Sequence, residues 1–225
     1  MALSSSNRSE VTIFNPGDTE ARARIDVVDP AGRAQSQELT VAPRQTITWS
    51  DTSSTPMAQV VVIPSRGALY ATCRNAHSAA GGTLGAAIPV LASAAGLRLG
   101  QSHNFLKVED PTSATIAAAV PATYRSALGL VETSGHSATV RINIALSETA
   151  SLVSALISQS IAIAPNQQIL LDPLLRGLVG PARETAFGDL HGMKIEITVT
   201  SGDGAVVPFL LVTDNGSGDS YVRLD

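Results

Sequence analysis

Near the end of the chain, Asp214-Asn215-Gly216-Ser217-Gly218-Asp219 concentrates side-chain oxygens around two glycines. Asp214, Asn215, Ser217 and Asp219 stand at spacings from which a loop can wrap calcium, a hard cation that takes oxygen ligands. The same composition suits a hairpin turn, where Asn, Asp and Gly accept positive φ, and the turn is the preferred reading. Asp203-Gly204 in "TSGDGAV" (Thr200–Val206) carries the signal of a tight type I′ hairpin. His77, His103, His136 and His191 have no partner at i,i+2 or i,i+4, so no metal-ligand spacing is proposed. His136 and His191 each adjoin glycine and read as surface turn residues. Cys73 alternates with apolar neighbours and reads as a small buried residue. As the single cysteine it forms no disulfide within the chain.

Nucleophilic chemistry has little to stand on. "GDS" at Gly218–Ser220 lacks following glycines and leaves no room for the strands that follow the nucleophile in a chymotrypsin-like enzyme. The G-x-S-x-G elbow, the P-loop, H-E-x-x-H and the EF-hand pattern are absent. "GGTLG" (Gly81–Gly85) precedes no amphipathic helix and reads as a loop. Arg8, Arg24, Arg125 and Arg141 fall at matched places in the two halves, and a structural role, pairing or stem packing, is expected of them. Trp49, Tyr70, Tyr124 and Tyr221 are the aromatic side chains that a sugar-binding face would need.

The elements that must hold these residues follow from composition and pattern. The 225 residues are 44% hydrophobic and 15% charged, which is globular composition. A net charge of −4 offers no basic footprint for nucleic acid or anionic lipid. With aromatics at 4%, the core must be built from Val, Ile, Leu and Ala. There is no 18-residue apolar run, so no transmembrane helix is expected. "MALSSSNRSE" lacks the charged and apolar regions of a signal peptide, and Met1 is read as the start of an excised segment.

The two halves open alike. "RSEVTIFNPGDTEARARIDV" (Arg8–Val27) aligns with "RSALGLVETSGHSATVRINI" (Arg125–Ile144) at an offset of 117. Each alternates apolar and polar residues about a glycine turn, the signature of a half-buried hairpin. In "NPGD" a type II turn would give Gly17 positive φ; Gly135 serves the second copy. "LTVAPRQTITWSD" (Leu39–Asp51) matches "IAIAPNQQILLDP" (Ile161–Pro173) at 122, and "SRGALYATCRN" matches "GDGAVVPFLLVTDN" at 137. Matching blocks in one order, with insertions between strands, point to tandem duplication. Within the largest insertion, "DPLLRGL" predicts a short helix capped by Asp172 with Pro173 at its first position. Between the halves, the Ala- and Pro-containing stretch 91–123 reads as a connector packed against both.

The blocks Arg8–Asn15, Gly81–Pro89, Arg125–Glu132, Ile161–Gln167, Val199–Val206 and Thr213–Asp219 together resemble a module that recurs, often in tandem, in large exported bacterial proteins. The resemblance implies an immunoglobulin-like sandwich pair, extracellular, cell-surface or periplasmic, and supplies no catalytic residues. The expected fold is therefore all-β: two tandem antiparallel sandwiches, 1–90 and 124–225, a connector 91–123, and one short helix in the second. The expected function is a non-catalytic spacer, stalk or docking unit that needs no cofactor and contacts other domains of its parent protein, a surface protein or a polysaccharide. A carbohydrate- or cell-surface-binding module, with or without calcium, is the alternative, and an unrecognised hydrolase the third reading.

Overall fold

The computed structural model describes residues 7–29, 33–51, 59–79, 82–88, 90–92, 95–118, 123–145, 157–181 and 187–224. The chain divides into two compact units, Met1–Leu91 and Ala92–Asp225. Both are built from antiparallel strands, and each packs two sheets face to face, giving two β-sandwiches.

The first unit contains β1 (Asn7–Phe14), β2 (Ala21–Val28), β3 (Ala34–Val41), β4 (Thr46–Asp51), β5 (Gln59–Arg66), β6 (Tyr70–Ala79) and β7 (Gly82–Ile88). One sheet has the order β4-β1-β6-β7, the other β3-β2-β5. Val11 and Ile13 from the first sheet meet Ile25 and Val41 from the second in a small core.

The second unit contains β8 (Ser102–Asp110), α1 (Ser113–Ala117), β9 (Tyr124–Glu132), β10 (Ala138–Ala145), β11 (Ile157–Ile163), β12 (Gln168–Leu171), α2 (Leu174–Val179), β13 (Leu190–Gly202), β14 (Val206–Asp214) and β15 (Ser220–Arg223). Its sheets run β12-β9-β14-β15 and β11-β10-β13-β8. Leu128, Leu130 and Leu210 face Val140, Ile142, Ile195 and Ile197 across a larger core. Alternating β-branched residues suit this layout, because each strand turns one face to the core and the other outward.

Strand order in the first unit recurs in the second, with β8 added at one edge. Registers recur as well. Phe14 lies opposite Thr46 and Tyr70, and Val131 opposite Gln168 and Val207. Ala21 pairs with Val41 and Ala138 with Ile163. A bulge interrupts β2–β5 between Arg22 and Ala23, and β10–β13 between Thr139 and Val140.

Several sequence-based expectations need correction. The strands of Arg8–Val27 do not pair with each other: β1 and β2 lie in different sheets, as do β9 and β10. Period-2 alternation states which face of a strand is buried, not which strand is its neighbour. For the same reason Thr200–Val206 is a crossing between sheets, with positive φ at Gly202 (90°) rather than at Asp203 or Gly204. Gly17 is not at positive φ; its N–H is held by Asn15 Oδ1 at 2.9 Å, so a side-chain bond shapes that turn.

The segment read as a connector supplies β8 and α1, and β8 pairs with β13 inside the second unit. Lys107, at φ 54°, bulges this strand so that Phe105 and Val108, three residues apart, are both fully buried. That bulge hides the alternation expected of a strand. The helix of "DPLLRGL" begins at Leu174, with Pro173 as its N-cap and no side-chain cap. Asp110 Oδ2 instead accepts the Leu175 N–H at 2.6 Å, so the end of β8 caps the helix. α1 is a further short helix, so among the described residues the second unit has more than the one expected.

Candidate functional site

In each unit a buried polar side chain stands where β1 or β9 leaves its sheet. Glu132, the last residue of β9, is fully buried. Its carboxylate accepts N–H bonds from Ser134 (2.7 Å), Gly135 (2.8 Å), Asn166 (2.9 Å) and Ala205 (3.2 Å), and the Ser134 hydroxyl donates to it as well. Three separate chain segments are thus tied to one carboxylate. Burial pushes its pKa up, but the Ser134 hydroxyl and the N–H groups of Asn166, Ser134 and Gly135 outweigh that and hold it below its ordinary value. A carboxylate so saturated with donors is a poor base and has little capacity left for a ligand. Nothing in "VETSG" distinguished Glu132 from a surface glutamate, although a Glu two residues before Ser-Gly is placed to collect turn amides.

Asn15, buried at the end of β1, does the corresponding work in the first unit. Its Nδ2 donates to the carbonyls of Thr19 (2.8 Å), Val41 (3.0 Å) and Ala42 (3.1 Å).

The loop Thr213–Tyr221 is the β14–β15 hairpin, matching the turn reading. Asp214 Oδ1 accepts from Gly216 N (2.7 Å) and Ser217 N (3.1 Å), and Ser217 Oγ accepts from Asp219 N. Asn215 Oδ1 takes a bond from Arg125 Nη1 at 2.8 Å. Of the four calcium candidates, Asp214, Asn215 and Ser217 therefore direct an oxygen to the protein, while Asp219 is an exposed turn residue. Among the described residues, no group of three or more His, Cys, Asp or Glu side chains could hold a metal ion.

The other candidates are dispersed. His103 lies on β8 with its ring edge-on to Phe105, centroids 4.5 Å apart. His136 is exposed in a turn. His191 belongs to β13 rather than a turn, and its Nδ1 lies 2.5 Å from Glu109 Oε2 on the neighbouring strand β8. Beside that pair, Asp189 accepts from Thr112 N and from the Thr115 hydroxyl; the Thr112 bond leads the causes that hold its carboxyl below the ordinary value. The side chain of His77 lies outside the described residues. Ser220 Oγ is 2.8 Å from Thr213 Oγ1 on the adjoining strand. Cys73 is half-buried, and burial raises its thiol pKa.

Arg24 forms an ion pair with Asp26 at 2.8 Å on its own strand, and Arg125 is held by Asn215, with Asp172 at 3.9 Å. Arg141 is exposed, and the side chain of Arg8 lies outside the described residues. Trp49 packs partly against the first core, its Nε1 donating to Gln37 at 3.0 Å. Tyr70, Tyr124 and Tyr221 are exposed.

No family model matches the chain, and no curated protein sequence matches it either. A crystal structure of red sea bream transglutaminase aligns with 97% of this chain and 28% of its own, at 11% identity and a TM-score of 0.17. A superposition that loose carries no argument about fold or chemistry. Among the described residues no helix is long and apolar enough to cross a membrane.

Proposed function

We propose that this chain is a non-catalytic structural and docking segment, a tandem pair of β-sandwich modules within an exported bacterial protein. The observation that carries the reading is the use made of its buried polar groups. Glu132 and Asn15, whose burial would otherwise mark them as candidates for chemistry, direct their bonding capacity to the backbone of their own turns. Recurrence of strand order, register and bulge in both units supports duplication of one framework. The sequence resemblance to exported bacterial modules supports the location. Sheet edges are the natural contact surfaces of such a unit.

A second reading, a carbohydrate- or cell-surface-binding module, draws on Tyr124 and Tyr221. Tyr124 lies opposite Asp214 and Tyr221 opposite Val212, which places the two exposed rings on one face of the sheet beside the β14–β15 turn. Binding of the purified chain to insoluble polysaccharides and bacterial envelopes, with calcium and with chelator, separates the readings. No saturable binding from demonstrably folded protein is the expected result. Saturable binding lost in Tyr124→Ala and Tyr221→Ala would overturn the spacer reading in favour of the second.

A further inference from the structure

The two units differ at one sheet edge. In the second, Ile144 on β10, Ile195 on β13 and Phe105 on β8 form one cross-strand row, and Ile142, Ile197 and His103 form the next. In the first unit the corresponding rows are Val27–Val60 and Ile25–Val62, and they stop at β5. Among the described residues nothing pairs with the outer edge of β5.

Burial follows the same division. Ile144, Ile195 and Ile197 are each 0% exposed, whereas Val27, Val60 and Val62 are only half-buried at the margin of their core. Other outer strands, β3 with β11, β4 with β12 and β7 with β15, are edges in both units. Among the described residues, only the β5 edge is closed in one unit and open in the other.

The open edge is well made for pairing. Val60-Val61-Val62-Ile63 is an uncharged β-branched run, and Ile63 is 37% exposed. Such an edge templates another strand unless something covers it. Pro64, which has no N–H, bounds the pairable stretch at its far end.

We propose that the β5 edge captures an extended segment of another polypeptide, antiparallel, as β8 lies on β13. The segment presents side chains inward at the places of Phe105 and His103, covering Val60 and Val62, with an apolar or aromatic group at the place of Phe105. Backbone hydrogen bonds supply the general affinity, and the inward aromatic supplies the selectivity. The inference rests on strand topology and stands whether or not the chain is a spacer.

The test uses the full chain and a synthetic peptide of Gln101–Asp110 (QSHNFLKVED), read by residue-resolved amide hydrogen exchange. At saturating peptide, exchange at Val60–Ile63 is expected to slow about tenfold or more, while β1 and β6 keep their protection. A peptide carrying Phe105→Ser should protect less. Unchanged exchange at Val60–Ile63 in folded protein would overturn the proposal. So would protection confined to β13 by exchange with the resident β8, or protection of β5 that rises with protein concentration and needs no peptide, which would mark self-pairing instead. None of these outcomes depends on polysaccharide binding, so the two proposals fail separately.

Discussion

Asn15 and Glu132 occupy the same place in the two sandwiches: both accept the N–H two residues on, Gly17 or Ser134, but they meet the partner turn with opposite hydrogen-bond polarity. Each follows the last paired residue of the corresponding β1–β4 or β9–β12 ladder, Phe14 or Val131. The backbone N–H of Asn15 donates to Gln45 O at 3.0 Å and that of Glu132 to Gln167 O at 2.9 Å. Each partner turn places a non-glycine residue at positive φ, Arg44 at 57° and Asn166 at 56°. Asn15, however, gives its side-chain protons to carbonyls, whereas Glu132 takes protons from amides. Where the Asn166 N–H meets Glu132, the Arg44 N–H meets the Gly17 carbonyl at 3.2 Å.

Opposite polarity makes the two positions respond differently to nearly isosteric changes. Asn15→Asp replaces a donor with a carboxylate facing the oxygens of Thr19, Val41 and Ala42. The first unit should lose about 2–4 kcal/mol, because a buried charge is left beside acceptors. Chemical denaturation monitored through Trp49, which packs on the first core, measures it. A loss below about 0.5 kcal/mol would mean that Asn15 does not organise its turns.

Glu132→Gln keeps one oxygen but turns an amino group toward N–H groups that now donate to the carboxylate. We expect a cost of about 2 kcal/mol to the second unit, and about 3 kcal/mol for Glu132→Ala, which strands several amides at once. Amide exchange at Ser134, Gly135, Asn166 and Ala205 should accelerate together. Acceleration at only one of them would show that the carboxylate does not unite the three segments.

The acid side of the stability profile follows from the same group. Glu132 has its pKa lowered from an ordinary value of 4.5. A carboxyl depressed in the folded state contributes stability fully present above the unfolded pKa and lost as pH falls through the folded one. The second unit should therefore weaken below about pH 4.5, and Glu132→Gln should lose this part of the slope. Denaturation midpoints at several pH values, compared between the two proteins, read it directly; parallel profiles would assign the acid sensitivity elsewhere.

What the sequence discloses and what it conceals divide along a physical line. Strand faces are legible in "ATVRINIA", where the side chains alternate between core and outer face or solvent. The offsets 117, 122 and 137 anticipate the recurrent registers: Phe14 with Thr46 and Tyr70 becomes Val131 with Gln168 and Val207. Partner choice is not legible. A strand reads alike whether the next one pairs with it or crosses to the facing sheet, so β1 and β2 read as a hairpin. β8 escapes notice because its bulge at Lys107 breaks the period. Glu132 escapes because acceptance of distant amides leaves no local pattern beyond its neighbouring turn.

Gly129 tests the packing of the second unit from the outside of its sheet. It lies opposite Phe209 in the β9–β14 register, and a Cβ placed there would enter the phenyl ring. The absence of a side chain lets the ring lie across the strand, which compensates for glycine within a sheet. Gly129→Ala should cost about 1–3 kcal/mol despite the gain in strand propensity. The double variant with Phe209→Ala should recover part of that loss. If Gly129→Ala alone is stabilising, the ring moves aside freely and this contact contributes little.

The β14–β15 turn brings the oxygen-rich loop to a decisive comparison. Asp214 Oδ1 receives the N–H groups of Gly216 and Ser217, while the Asp214 carbonyl receives that of Gly218. If the aspartate is a turn residue, Asp214→Asn keeps an acceptor and should be nearly neutral, whereas Asp214→Ala should cost about 1 kcal/mol. Millimolar calcium should then leave the melting temperature where chelator leaves it. If the loop holds calcium, Asp214→Asn instead weakens the protein in calcium alone, because the metal loses a charged ligand. Asn215 adds an independent check, since a metal that recruits its Oδ1 must draw it from Arg125. Arg125→Ala would then strengthen calcium binding, while under the turn assignment it removes only the hydrogen bond to Asn215 and the longer contact with Asp172.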